Sequence, residues 1–266
     1  MAFLEDFNFT GRLGEFSAYR MKGSKKIVIR TKGGASKDKI KHDPAFAKPR
    51  LYMTEFGGCS TMGKRVRRMM GSLTNLADYN ISGPINALLK VVQKQDKVSK
   101  LGERDIVLSK YSALLEGFSL NEQRPFDSIV RNNVGWSLSR ETRSAHVDIP
   151  RLIPGVNFFT QNNYPMFSLV VTLGMAPDFF FNKGLGVFQP GDGYQSGWGA
   201  KEIETEWLPV MKGMDALTLE VDVTNVPPDD AHSLILAIGI RFGALYGGGI
   251  VERVKKVGAA KVLAVR

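Results

Sequence analysis

Two stretches of this chain, Phe167–Leu173 and Leu234–Phe242, are nearly continuous apolar runs containing β-branched residues. Such runs are expected of central strands, whose side chains are buried on both faces of a sheet. A third stretch, Ala216–Thr224, alternates instead. Leu217, Leu219, Val221 and Val223 fall on one face, with Thr218, Glu220, Asp222 and Thr224 on the other. That period of two marks a half-buried antiparallel strand. Further strands are expected over Ile129–Ser139, Ala145–Ile149, Trp198–Trp207, Gly249–Val254 and Lys261–Val265, separated by Asn-Asn, Pro-Gly, Gly-Asp-Gly and Pro-Pro-Asp-Asp turns. The spacing predicts a mainly β (α+β) chain in which residues 101–266 form an antiparallel β-sandwich or jelly-roll-like domain.

The rest of the chain has a different texture. Residues 1–50 are expected to form an extended basic arm. It would hold two short strands, near Gly14–Met21 and Lys26–Thr31, joined by a polar Lys22–Lys25 turn. The polar stretch Lys37–Arg50, with Pro44 and Pro49, predicts a linker. Residues 51–100 change to helical periodicity. Ile85, Leu88, Leu89 and Val92 share one helix face, with Ser82 placed as N-cap and Pro84 in the first turn. A second helix is expected over Thr61–Met70.

Charge divides the chain in the same place. Residues 1–100 carry 20 Lys and Arg against 8 Asp and Glu, while residues 101–266 carry 16 against 18. The whole excess of the +10 net charge therefore lies in the first 100 residues, mostly between Arg12 and Arg68. Such a segment suits phosphate, an anionic surface or the acidic face of another copy; the simpler account is a solvated face. The single cysteine, Cys59, excludes an intramolecular disulfide, and no zinc-type Cys/His spacing occurs. No apolar stretch approaches a membrane span and Met1–Gly14 lacks a signal-peptide core, so the expected location is the cytoplasm or an export route without an N-terminal mark.

The candidate chemistry is sparse. Gly58–Lys64 has the G-x4-G-K spacing of a phosphate loop, but Arg65 stands where Ser or Thr would hold magnesium. A glycine-containing helix start accounts for it better. Among the histidines only His146, beside Asp148, could form a relay pair, and a surface pair is the simpler account. Cys59 lies near basic residues, which could lower its pKa, but a small semi-buried residue is the better account. Glu202, Glu204 and Glu206 alternate along one expected strand, as a cation-binding row, a solvated face or the counterpart of a basic segment. Tyr194, Trp198 and Trp207 flank a Gly-Asp-Gly loop; they suit a sugar-stacking surface or, more simply, the core.

The segments Gly11-Arg-Leu-Gly14 to Tyr19 and Gly23, Val28-Ile-Arg30-Thr-Lys32-Gly33-Gly34, Glu55-Phe-Gly-Gly58 and Leu115-Glu-Gly117-Phe-Ser-Leu-Asn121 resemble a family of Bacteroidota proteins to which no activity is assigned. The resemblance implies a bacterial source and carries over no catalytic residue. The expectation is a non-enzymatic structural protein, without cofactor or metal, that self-assembles as a tube, filament or shell through its N-terminal arm. Its assembly or anion contacts would be Arg12, Tyr19, Lys22, Lys25, Lys26, Arg30, Lys32, Lys64, Arg65, Arg67 and Arg68, set against Glu202, Glu204 and Glu206. The alternative is nucleic-acid binding by the same basic residues, with Phe16 and Tyr19 stacking on bases. A third is a carbohydrate-binding module using Tyr194, Trp198 and Trp207.

Overall fold

A computed structural model describes residues 2–4, 9–21, 26–31, 33–160 and 163–266. Strand exceeds helix, and every sheet is antiparallel, so the chain is mainly β with a helical minority. Contacts divide it into two compact units, Met1–Arg50 and Leu51–Arg266.

The first unit contains four short strands: β1 (Ala2–Leu4), β2 (Gly11–Leu13), β3 (Phe16–Arg20) and β4 (Ile27–Thr31), in the order β1-β4-β3-β2. The expected hairpin is its centre, since β3 pairs with β4. The two flanking strands turn that hairpin into a sheet in its own right. Gly14, at φ +58°, takes the left-handed conformation in the tight β2–β3 turn that a side chain would resist. Lys37–Arg50 is not a linker. It forms α1 (Lys37–His42), a 3-10 turn at Pro44–Phe46, and the start of α2 (Ala47–Met69). Ser36 caps α1 by accepting from Lys39 N–H, and Asp43 accepts from Ala45 N–H. Pro49 is tolerated because it falls in the first turn of α2, where no intrahelical donor is lost.

The second unit is layered. Its central sheet has the order β10-β7-β13-β14: β7 (Met166–Pro177), β10 (Lys201–Glu204), β13 (His232–Leu245) and β14 (Val251–Val265), with β11 (Leu208–Pro209) also on β7. A three-stranded sheet, β12-β6-β5, is built from β5 (Gly135–Ser139), β6 (Ser144–Ile149) and β12 (Leu217–Asp222). The pair β8 (Phe179–Asn182) and β9 (Val187–Pro190) completes the strands. The short helix α4 spans Phe126–Ile129, and α3 spans Ser82–Gln93.

One core lies between the two larger sheets. Leu169, Val171, Leu173 and Met175 of β7 and Leu234, Leu236, Ile238 and Ile240 of β13 meet Ala145, Val147, Ile149, Leu219 and Val221 there. The opposite face of the same central strands, through Val170, Ala176, Ile235 and Ala237, meets Met62, Val66 and Met69 of α2 and Ile85, Leu89 and Val92 of α3. The sandwich therefore carries a helical layer on its outer face. Both faces of β7 and β13 are covered, which is why their sequences lack alternation. Glycine sets the approach of the helical layer. A Cβ on Gly174 would stand 2.9 Å from Met69 Cα, and one on Gly239 2.6 Å from Leu73 Cδ2.

The helix α2 is longer than the expected Thr61–Met70, and the Gly58–Lys64 spacing lies inside it, so no phosphate loop forms. Its glycines admit neighbours instead: a Cβ would stand 2.6 Å from the Phe188 ring at Gly58 and 2.1 Å from Asn86 Oδ1 at Gly63. At α3 the cap is Ile81 rather than Ser82, and Asn80 accepts from the Ser82 N–H. Among the described residues no helix is long and apolar enough to cross a membrane.

A buried carboxylate ties α2 to α3. Glu55 is fully buried and accepts from Arg104 Nε at 2.7 Å, Arg104 Nη2 at 2.6 Å, Gly102 N–H at 3.0 Å and Lys90 Nζ. Burial alone would raise its pKa, but the bonds from Arg104, Lys90 and Gly102 outweigh it and hold the group at about 2. Gln93 extends the network, accepting from Lys90 Nζ and Cys59 Sγ and donating to Arg104 O.

Candidate anion-binding cleft

The apolar stripe of α2 is Cys59, Met62, Val66 and Met69, all buried. The helical period then places Thr61, Lys64, Arg65 and Arg68 together on a different face, with Arg67 at its flank. These five line a cleft of about 1470 Å³ whose other walls are the Gly71–Ile81 segment, Ser196 and β14. From β14 come Arg253, Lys255 and Lys256, along with Glu252. Seven cations and one carboxylate thus share one concavity.

The β14 contribution depends on an irregularity in the strand. Arg241 pairs with Gly258 and Gly243 with Arg253, so one β13 residue faces four of β14, Val254 to Val257. This excursion holds Lys255 and Lys256, both exposed. Bulges of this kind commonly re-aim side chains. Lys256 lies at φ +60°, a conformation that costs a non-glycine residue roughly 1–2 kcal/mol. Lys256→Gly is accordingly expected to leave the thermal midpoint unchanged or raise it, while weakening anion binding. Parallel melting and binding curves check this; a fall of several degrees in the melting midpoint would contradict the reading of strain.

The cleft cations are poorly compensated. Among the described residues none of the seven has an ion pair. Arg65 Nη1 and Arg68 Nη1 donate to Ser196 O at 2.5 and 2.7 Å, and Arg68 Nη2 donates to Gly197 O at 2.9 Å. Arg67 Nη1 is buried without a hydrogen-bond acceptor beside Gly63. Burial lowers the Arg67 pKa, and burial followed by the charge of Arg68 lowers that of Arg65. Arginine nonetheless stays cationic at neutral pH. Tyr79 also lines the cleft, its ring fixed by a hydroxyl that donates to Ser119 O at 2.9 Å.

The sequence-predicted residues are distributed unevenly. Lys64, Arg65, Arg67 and Arg68 come together in the cleft. Arg12 and Arg30 line a separate hollow of the first unit. Lys22, Lys25 and Lys32 lie outside the described residues, and Lys26 is exposed. Phe16 and Tyr19 project from opposite faces of β3, so no single surface presents both rings. The acidic row is largely engaged within its own chain. Glu202 accepts from Ser72 N–H at 2.5 Å and Glu204 pairs with Arg241, while exposed Glu206 follows the end of β10.

The aromatic cluster does not form a sugar-stacking face. Tyr194 is buried, its hydroxyl donating to Asp229 Oδ1 at 2.7 Å and its ring edge-on to Trp198 at 5.8 Å. Trp198 packs against the inter-sheet core, and Trp207 lies over Gly243. Tyr194 is drawn inward by its bond to Asp229, whereas Trp198 and Trp207, separated by β10, are each half-buried, so the three rings present no common exposed face. His146 pairs with Glu220 across the strands at 3.3 Å rather than with Asp148, which accepts from Thr218 Oγ1. Cys59 is buried, and burial pushes its thiol up to about 11, which removes it as a nucleophile.

Arg253, Lys255 and Lys256 were not anticipated as site residues. Their signal was the run Val251-Glu-Arg-Val-Lys-Lys-Val, which lay across the expected break between two short strands. No family model, curated protein or solved structure matches this chain.

Proposed function

We propose that this is a non-enzymatic nucleic-acid-binding protein whose ligand backbone lies in the cleft between α2 and the β14 bulge. The observation that carries the reading is the set of seven cleft cations without a carboxylate partner among the described residues. Like charges held together destabilise a folded chain unless counterions gather there. A polyanion displaces those counterions, and their release drives binding. The cleft, at about 1470 Å³, exceeds the usual 300–1,000 Å³ of a small-molecule pocket. Several cations along it match successive phosphates better than one small anion. Tyr79 supplies an aromatic surface at the wall, as single-strand binders use. The lining contains one carboxylate, Glu252, and no histidine or cysteine, which suits holding more than chemistry.

Fluorescence anisotropy of a labelled oligothymidine against salt concentration tests the reading. Four to seven phosphate contacts correspond to a slope of log K against log salt between about −3 and −5. Absence of binding at low salt would overturn it.

A second reading, self-assembly, is favoured by the first unit. Among the described residues β2 pairs with β3 alone, leaving an outer edge. Leu13 and Phe16, directly opposite each other, are 68% and 50% exposed. A second copy could add a strand there. Deleting residues 1–34 is then expected to reduce particle size in light scattering while the second unit stays folded; unchanged size would count against it.

A further inference from the structure

We infer that the N-terminal sheet carries a second phosphate site, in which Arg12 and Arg30 close on one phosphate group over the hydroxyl of Ser17. The register places them. Arg12 is directly opposite Ser17, and Ser17 is directly opposite Arg30. Residues opposite one another in an antiparallel sheet project from the same face. The two arginines therefore flank the serine on one surface, about 10 Å apart at their backbones across two inter-strand steps. That gap is too wide for the guanidiniums to be forced together, and both long side chains reach its middle.

The three residues line a hollow of about 390 Å³ together with Thr31 and Gly33, and no carboxylate is among the described residues of its lining. Among the described residues neither arginine has an ion pair. Tyr19, two residues beyond Ser17 on the same face, positions one arm: the Arg30 guanidinium carbon stands 5.4 Å from its ring centroid. Arginine pairs of this kind suit phosphate because each guanidinium presents planar paired donors, and the serine hydroxyl adds a third direction. The group bound is a phosphate, and its source is the backbone of the nucleic acid proposed above. The site thus rests on that reading for its ligand, but not for its chemistry.

The test uses the full chain labelled with 15N-arginine. Titration with inorganic phosphate is expected to move the Arg12 and Arg30 Nε–H resonances together, and Arg12→Gln/Arg30→Gln is expected to remove the response. Lys64→Glu/Lys255→Glu/Lys256→Glu, which alters only the cleft, is expected to leave it intact. In oligothymidine binding, Arg12→Gln/Arg30→Gln is expected to lower the salt slope by about 0.7, one single-strand phosphate. Silence of both resonances toward phosphate overturns the site. A phosphate response with an unchanged oligonucleotide slope overturns its assignment to nucleic acid. Should the oligonucleotide not bind at all, the cleft reading fails, and the phosphate titration still decides this site. Both arginines are exposed, so circular dichroism of the variant is expected to match the parent.

Discussion

Lys64→Glu/Lys255→Glu/Lys256→Glu is expected to weaken single-stranded nucleic-acid binding by at least about 100-fold at 0.1 M salt. The arithmetic follows from counterion release. Each single-strand phosphate contact contributes about 0.7 to the salt slope, and so about 0.7 log units at 0.1 M. Three lost contacts give about two log units before any repulsion from the new carboxylates. All three lysines are exposed, so folding is expected to be unaffected. The slope itself is expected to fall by about 2, which separates lost phosphate contacts from a general loss of structure. A variant that binds as the parent does would place the ligand elsewhere.

Glu55→Ala is expected to destabilise the chain by about 3–5 kcal/mol, a large share of the usual stability of a domain. Removal of the carboxylate leaves Lys90 and Arg104, 22% and 18% exposed, without their common partner. It also strips Gly102 N–H of its acceptor. The parent's acid sensitivity follows from the same group. The Glu55 pKa is depressed in the folded state, to about 2 from an ordinary 4.5. Its contribution is therefore fully present above about pH 4.5 and is lost as pH falls through about 2. Urea unfolding across that range is expected to show a flatter acid limb for Glu55→Ala. An equal loss in both proteins would assign the acid sensitivity to other carboxylates.

The central strands were legible because burial on two faces leaves an unmistakable pattern. β7 and β13 extend the expected runs by a few residues, and β12 keeps the alternation of Leu217 to Val221. The helix α3 was legible from Ile85, Leu89 and Val92. The first half of α2 was not, because Pro49, Gly57 and Gly58 read locally as interruptions. Packing overrides that preference: Phe188 and Asn86 occupy the space that side chains would take at Gly58 and Gly63. The α2 half of the cleft was visible as a basic cluster. The β14 half was hidden, because a bulge is a property of two strands in register and one strand's sequence does not display it. For Tyr194, Trp198 and Trp207 the sequence left a sugar-stacking surface and the simpler core placement both open, since a glycine-rich loop can turn its rings inward as readily as outward.

The helical layer has a temporal consequence. Met62, Val66 and Met69 are synthesised roughly a hundred residues before β7, and nearly two hundred before Ala260 and Val262, which cover the same surface. A nascent chain emerging from the ribosome therefore carries this amphipathic helix, with α3 behind it, before the strands that complete its cover exist. Such delayed closure slows folding and invites off-pathway association. The dense positive charge beside that stripe keeps emerging copies apart by repulsion, so residues suited to a ligand in the finished protein also act as solubilisers while it is being made.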